Sequence, residues 1–390
     1  MAETVELTEK DLRHWKMLES FQAALQPVCA KAQFHPTFSD PRRQLDYSSY
    51  LSLFLFGLFN PVVQSMRALC SVSRLEKVQR KIGARPVSLG SFSEMQSVLD
   101  PDLLKQVFEG LVEQKSSKAP RDPALAHLKL IAQDGSLWSA LPRMAWAQYG
   151  VGPDGQAKGV RLHLRFNILK DQPEDAQLTP GKGCERQALR DMLLPGQTNV
   201  GDRYYGQDYG LLREIDQTKA FLVFRIQESA VVHIEEELAL TEADRAAGVV
   251  RHGWVHLGAT EKLRSIRLRL VEVRRDGQHL LLITNHSVET LSAALVSLVY
   301  RRRWSIELFF RWIKCVLGCR HFFAESSQGV AIQIYLALIA SLLLQSFTGQ
   351  RPNKRLMEFL QFYMMGWATE QEVMALIQRQ NVKENSAKNQ

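Results

Sequence analysis

The sequence predicts a mixed α/β chain with helical ends and a strand-rich middle. Three observations carry this. Apolar residues recur at helical intervals before about residue 120, alternate with polar ones through much of 128–284, and return to helical spacing beyond 290. With 390 residues, 45% hydrophobic and 23% charged, the chain has material for two or three domains with real cores.

In the first 120 residues, Thr8 is a candidate helix cap, and Leu18, Phe21 and Leu25 keep helical spacing. LSLFLFGLF at 51–59 reads as a buried helix ended by Pro61, after which Val62, Met66 and Leu69 mark another. SRLEKVQRKIG, closed by Gly83, and SFSEMQSVL, stopped at Asp100-Pro101, are short helices. Asp100 and Pro101 then serve as N-cap and first residue of a helix carrying Leu103, Leu104, Val107 and Leu111. Arg74, Lys77, Arg80, Lys81 and Arg85 cluster here, so the region reads equally as a DNA-reading helical module or as a scaffold with a solvated basic face. QKSSKAPRDPALA at 114–126 reads as a linker.

The period then changes. LKLIAQ at 128–133 is a compact strand ending at Asp134-Gly135, GPDG at 152–155 supplies a turn, and VRLHLRFNIL at 160–169 alternates as a half-buried antiparallel strand does. TNVG at 198–201 is a short strand ending at Asp202, YGLLREIDQT a helix, and FLVFRI at 221–226 a further strand. VVHI, GWVHLG, SIRLRLVEV and HLLLIT continue the series. In SIRLRLVEV, Ile266, Leu268 and Leu270 alternate with Arg267 and Arg269, which predicts a sheet with a basic face suited to phosphates. Helix follows to about 378, then QNVKENSAKNQ as a polar, frayed tail. IYLALIASLLLQSF at 334–347, like 51–59, falls short of the roughly 20 residues of a membrane span and reads as core.

The net charge of +8 and pI near 9.2 are moderate; it is their clustering that points toward nucleic acid. Five cysteines (Cys29, Cys70, Cys184, Cys315 and Cys319) lack paired disulfide spacing, which suggests a reducing compartment. Cys315 and Cys319 stand i,i+4 without a second ligand pair, and read as structural. MAETVELTEK has neither the basic nor the apolar region of a signal peptide, so the expectation is a cytoplasmic protein with no membrane partner.

The stretch YRRRWSIELFFRWIK at 300–314 concentrates this charge: five cations surround one acid, Glu307. On a helical wheel Tyr300, Arg303, Glu307, Arg311 and Lys314 share an arc of about 80°, beside an apolar stripe of Ile306, Phe309, Phe310 and Ile313. Ordinary i,i+4 pairing of Arg303 with Glu307 is one reading. The other starts from the imbalance of six Lys or Arg against one acid over 301–320, which suits a polyanion. Asp134 and Asp202 each end a strand, where sites form, and Glu307 projects from a helix. Three convergent carboxylates call for hard cations such as Mg²⁺; two ions about 4 Å apart suit phosphodiester chemistry, with Arg303, Arg311 and Lys314 meeting phosphates.

Tyr300, Arg303, Glu307 and Lys314 fit Y-x2-R-x3-E-x6-K, and this block, with TN at 284–285, resembles the third catalytic block of IS4 family insertion-sequence transposases. LKLIAQDGS with Asp134 resembles the first block and TNVGDRYYG with Asp202 the second; Lys158 and RLHLRF are similar to the family's middle region. The resemblance runs from about 125 to 345. It implies an RNase H-like catalytic core with a β-rich insertion, flanked by helical N-terminal and C-terminal regions. The divisions are 1–120, a helical DNA-binding region; 121–226 and 285–345, the two parts of the core; 227–284, the insertion; and 346–390, a helical C-terminal region and tail. It further implies a DDE triad of Asp134, Asp202 and Glu307 holding two Mg²⁺, with Mn²⁺ substituting, and cleavage and joining of DNA by a homodimer. Tyr300, Arg303 and Lys314 would grip the DNA backbone, and Trp254 would stack on a flipped base unless it is buried in the sheet. The second block departs from the family's frequent D-R-G-Y: Tyr204 follows Arg203 and could displace Asp202, for which Asp208 is the weaker substitute. Two rivals remain: a metal-dependent nuclease of the same fold, and an inactive DNA-binding relative, which Tyr204 favours.

Overall fold

The computed structural model describes residues 21–26, 45–63, 65–82, 85–115, 123–140, 144, 146–147, 159–260, 266–275, 277–315, 322–349 and 351–388. Thr8, Leu18, Cys29, Gly83, the 152–155 turn, Lys158, Cys319 and most of the expected linker lie outside these residues. In chain order the helices before the sheet are α1 (Tyr47–Phe59), α2 (Met66–Val72), α3 (Glu76–Ile82), α4 (Leu89–Val98) and α5 (Pro101–Lys115). Strands β1 (Lys129–Ser139), β2 (Gly159–Asn167) and β3 (Gln172–Pro180) lead to α6 (Glu185–Asp191), β4 (Gln197–Gly201), α7 (Arg203–Gly206), α8 (Tyr209–Gln217) and β5 (Phe221–Ile226). Then come β6 (Val232–Glu237), α9 (Glu242–Ala246), β7 (Val249–Leu257), β8 (Arg267–Arg275) and β9 (Gln278–Thr284). The chain closes with α10 (Ala293–Arg302), α11 (Trp304–Cys315), α12 (Ser327–Thr348), α13 (Lys354–Met365) and α14 (Glu370–Lys388). These elements form two compact units, one of 1–117, 140–147 and 310–390, the other of 118–139 and 148–309.

In the first unit α1 is apolar on every side and buried along almost its whole length, as an interior helix must be. Asp46 caps it, its carboxylate accepting the Ser49 N–H at 2.7 Å. Phe54 lies 5.9 Å from Phe92 and 5.7 Å from Phe323 by ring centroid. The helix after Pro61 starts at Met66, because Ser65 caps it; Val62 stays outside, 70% exposed. Asp100 and Pro101 open α5 as predicted, Asp100 Oδ1 accepting the Asp102 N–H. The expectation for 334–347 needs correction in one respect. α12 is long and apolar enough to cross a membrane by length and composition, yet 83% of its most apolar stretch is buried in the protein, so it reads as core. The predicted frayed tail is also corrected: α14 runs to Lys388.

The second unit is built on one nine-stranded sheet of order β3-β2-β1-β4-β5-β9-β8-β7-β6. β2 is antiparallel to both β1 and β3, while β4 and β5 run parallel to β1, with α6, α7 and α8 in the connections. That is the strand order and direction of an RNase H-like core. β4, α8 and β5 lie where the sequence put them. β1 instead runs on through Asp134 to Ser139, because β2 pairs with its whole second half. β2 is buried nearly throughout rather than half-buried, since it lies between two strands. β3 and α6 went unread, because QPEDAQLTP has no apolar alternation to announce a strand.

The strands of the insertion continue this sheet: β9 pairs antiparallel with β5, from Val223 opposite Thr284 to Ile226 opposite Leu281. Asn285 secures the junction, Oδ1 accepting the Leu222 N–H at 2.9 Å and Nδ2 donating to the Ala220 carbonyl at 3.1 Å. The basic face predicted for β8 does not form. Arg269 is fully buried, donating to the carbonyls of His286 and Leu291 and bonding His252 Nε2 at 3.0 Å. Arg267 is exposed but meets the acids of the sheet edge, Glu235 at 2.8 Å and Glu236 at 3.5 Å. Nor is 300–314 one helix: α10 ends and α11 begins on either side of Arg303, whose N–H turns back to the Tyr300 carbonyl at 3.1 Å. Tyr300 therefore sits on the preceding helix, although Ile306, Phe309, Phe310 and Ile313 are all buried as the stripe requires.

Candidate active site

Two of the three expected acids come from neighbouring parallel strands. β1 and β4 pair in register from Lys129 opposite Gln197 to Ala132 opposite Val200. Gln133 Nε2 donates to Asn199 Oδ1 at 3.2 Å, a buried bond that ties the strands together just before their acids. Asp134 follows Gln133 on β1, and its Oδ1 accepts the N–H of Gly135 at 2.8 Å. Asp202 follows β4 as the N-cap of α7, its Oδ1 accepting the Tyr204 N–H at 2.8 Å. Gly206 lets that short helix lie on β5, because a Cβ there would stand 2.2 Å from the Arg225 carbonyl oxygen.

The third expected acid, Glu307, is engaged by a cation. Arg303 Nη2 donates to its Oε1 at 2.6 Å, the i,i+4 pair that the wheel allowed, with Arg303 13% exposed and Glu307 27%. Arg303 also carries its charge toward Asp134 and lies over the Tyr300 ring at 5.7 Å. Its Nε is buried with no acceptor among the described residues. Burial opposes the Arg303 charge, but Tyr300, Glu307 and Asp134 outweigh it and hold the guanidinium above its ordinary value.

Asp134 is the perturbed group. Burial pushes its carboxyl up to about 7; the Gly135 N–H and Arg303 pull it down by less, and the carboxylates of Glu185 and Asp202 add to the rise. Glu185 was missed in the sequence. It opens α6, ion-pairs with Arg161 of β2, and accepts from the Tyr205 hydroxyl at 3.5 Å. Burial raises its carboxyl too, against the pull of Arg161, and Asp202 adds to the rise. Tyr205, buried beneath, has its hydroxyl held well above the usual range, first by burial and then by Glu185, Asp134 and Asp202. One signal was available for Glu185, namely Gly135 directly after the acid. A Cβ there would stand 2.6 Å from the Glu185 Cδ.

Tyr204 does not crowd Asp202, because its ring turns outward, 40% exposed, with the Arg186 guanidinium 4.1 Å from its centre. Asp208 is no substitute acid, since it caps α8 and pairs with Arg190 at 2.9 Å. Arg311 is exposed and Lys314 half-buried on the last turns of α11. Trp254 is half-buried rather than enclosed in the sheet, with Arg267 4.3 Å over its ring.

The donor set is one of hard oxygens, Asp134 and Asp202 with Glu185 beside them and raised protonation where burial and like charge meet, and this chemistry suits a hard divalent cation. The closed three-carboxylate cluster expected from the sequence does not form among the described residues. Among the described residues no three His, Cys, Asp or Glu side chains are grouped to hold a metal ion, and Glu307 is turned to Arg303.

The family model "Transposase DDE domain" matches residues 126–343. Three proteins named as transposases are similar. The y4zB protein of Sinorhizobium fredii is 29% identical over 54% of this chain and 58% of its own length. That of insertion sequence element IS5377 from Geobacillus stearothermophilus is 27% identical over 52% of each chain. That of element IS4SA from Synechocystis is 31% identical over 77% of this chain and 82% of its own. The chain thus spans little more than half the length of the first two. A solved piggyBac transposase synaptic complex with hairpin DNA aligns with 94% of this chain and 79% of its own at a TM-score of 0.43 and 9% identity.

Proposed function

This chain belongs to the transposase DDE domain family, and on that premise we propose that it cuts DNA at the ends of a mobile element and joins those ends to target DNA. The observation that carries the reading is the sheet order. β1 and β4 are neighbours, so Asp134 and Asp202 emerge side by side, and Arg303, ion-paired with Glu307, is near enough for its charge to act on Asp134. Asp134, Asp202 and Glu307 would hold Mg²⁺, two ions in the family pattern, with Mn²⁺ substituting. The metal, when bound, supplies activation of the attacking oxygen and neutralises charge at the phosphate.

The chain's own residues bind and orient the DNA. Arg303, stacked on Tyr300 and poised on Glu307, offers a guanidinium to a backbone phosphate, whose charge would compete with the carboxylate. Arg311 and Lys314, and by the family resemblance Lys158, are further cations for backbone phosphates. Trp254 presents a ring to an unstacked base, with Arg267 on its other side. Arg269 has no part in this, because its hydrogen bonds are made inside the fold. The working form on DNA is a homodimer.

The test uses purified protein, Mg²⁺ and DNA carrying the element's terminal repeats. Cutting and joining are expected, and Glu307→Gln should abolish both while leaving DNA binding within a few-fold. A Glu307→Gln protein that cuts as well as its parent overturns the reading. Cut ends that are never joined to target would identify a nuclease instead.

A further inference from the structure

Glu185 is an acid of the site that the family motif does not supply, and its surroundings are built for it. From the first turn of α6 its carboxylate reaches three elements at once. Arg161 of β2 ion-pairs with it, the two side chains being 19% and 16% exposed, and the Arg161 Nε is turned to the Gly181 carbonyl. The Tyr205 hydroxyl, three residues beyond Asp202 on the helix that Asp202 caps, donates to its second oxygen. Its Cδ fills the space that the missing Cβ of Gly135 leaves, directly after Asp134. A salt bridge to Arg161 alone would need neither the glycine nor the tyrosine. A carboxylate set against two other carboxylates is also an expensive way to fill a half-buried position, where an apolar side chain would serve stability as well.

Resting on the functional reading above, we propose that Glu185 is a positioning residue for the Asp134–Asp202 pair: it fixes the spacing of the strand that carries one acid and the helix capped by the other, and adds a third negative charge to the field a bound cation meets. Because it acts through Gly135 and Tyr205, it need not touch the DNA.

The test uses the full chain, with Mn²⁺ binding followed by electron paramagnetic resonance in the absence of DNA. Glu185→Gln keeps the volume and an acceptor for Arg161 and Tyr205 but removes the charge; it should bind Mn²⁺ roughly tenfold more weakly. Affinity within twofold of the parent overturns the charge role. Arg161→Gln with Glu185→Gln removes one charge of each sign, so it should bind Mn²⁺ more tightly than Glu185→Gln alone, and a double variant as weak as the single one overturns the charge role. The spacing role is read separately. Gly135→Ala should unfold at lower urea, and Glu185→Ala in the same chain should restore the midpoint by making room; failure of the second change to rescue the first overturns the contact. None of these measurements involves DNA cutting. A parent chain inert on every DNA end but showing both effects would refute the functional reading while upholding the role of Glu185.

Discussion

Two charged clusters lie on the same sheet and solve opposite problems. Beside β1 and β4, Asp134, Asp202 and Glu185 act on one another as like charges without closing into a three-ligand group, and burial keeps a proton on Asp134 up to about neutral pH. At β8, Arg269 is wholly buried and hydrogen-bonded to two carbonyls and His252; burial lowers its pKa to about 10, against the pull of Glu289 and then Asp244. Asp244 in turn accepts the Ala294 N–H at 2.8 Å and closes a capping box with Thr241, so this cluster fastens α9 to α10. Charge tied up in hydrogen bonds inside the fold holds a structure together; like charges set side by side are kept for something that arrives later.

The largest effect that would break this contrast is on Arg269. Arg269→Met should destabilise by about 3–5 kcal/mol, because it strands two buried carbonyls, and urea denaturation measures it. Metal affinity of the folded variant should not change. Next is Asp134→Asn, which should abolish cutting yet stabilise the fold. Folded Asp134 keeps its proton to about pH 7, whereas an unfolded aspartate loses it near 3.8. Between those values the folded state binds more protons, so stability falls as pH rises through the window and then levels off. Above pH 7 the asparagine variant should exceed its parent by up to about 4 kcal/mol. His286, in the Arg269 cluster, runs the other way. Burial, then Arg269 and His127, lower its pKa from 6.5 to about 4, so stability is lost as pH falls between those values, and His286→Gln should flatten that limb of the profile. The smallest effect belongs to Arg267→Ala, whose ion pairs are exposed and screened by solvent, so its urea midpoint should stay close to the parent's.

What the sequence made legible follows the same division. Asp134, Asp202 and Glu307 were singled out from short local patterns, and β4, α8 and β5 could be read because alternation and helical period are local too. Arg269 misled because alternation assigns a face but not what covers it, and its covering residues, His286 and Leu291, stand 17 and 22 positions away. β3 and Glu185 were invisible for a related reason. Their places are fixed by pairing with β2 and by contacts to Arg161 and Tyr205, partners 24 and 20 residues distant. Pairing of Arg303 with Glu307 was read as one of two options, and only the tertiary surroundings decide which partner the guanidinium takes in the absence of DNA.

The ladder between β5 and β9 has a mechanical consequence. A module attached by side chains could be traded away or swing on a hinge, but backbone hydrogen bonds join these strands from Val223 to Ile226. Deleting 227–284 would lay bare the open edge of β5, a template for aggregation rather than a smaller working core. Load applied to the far strand β6 is therefore carried through stiff backbone to the seam beside Asp202, and amide exchange along β5, β9 and β8 should report one cooperative block.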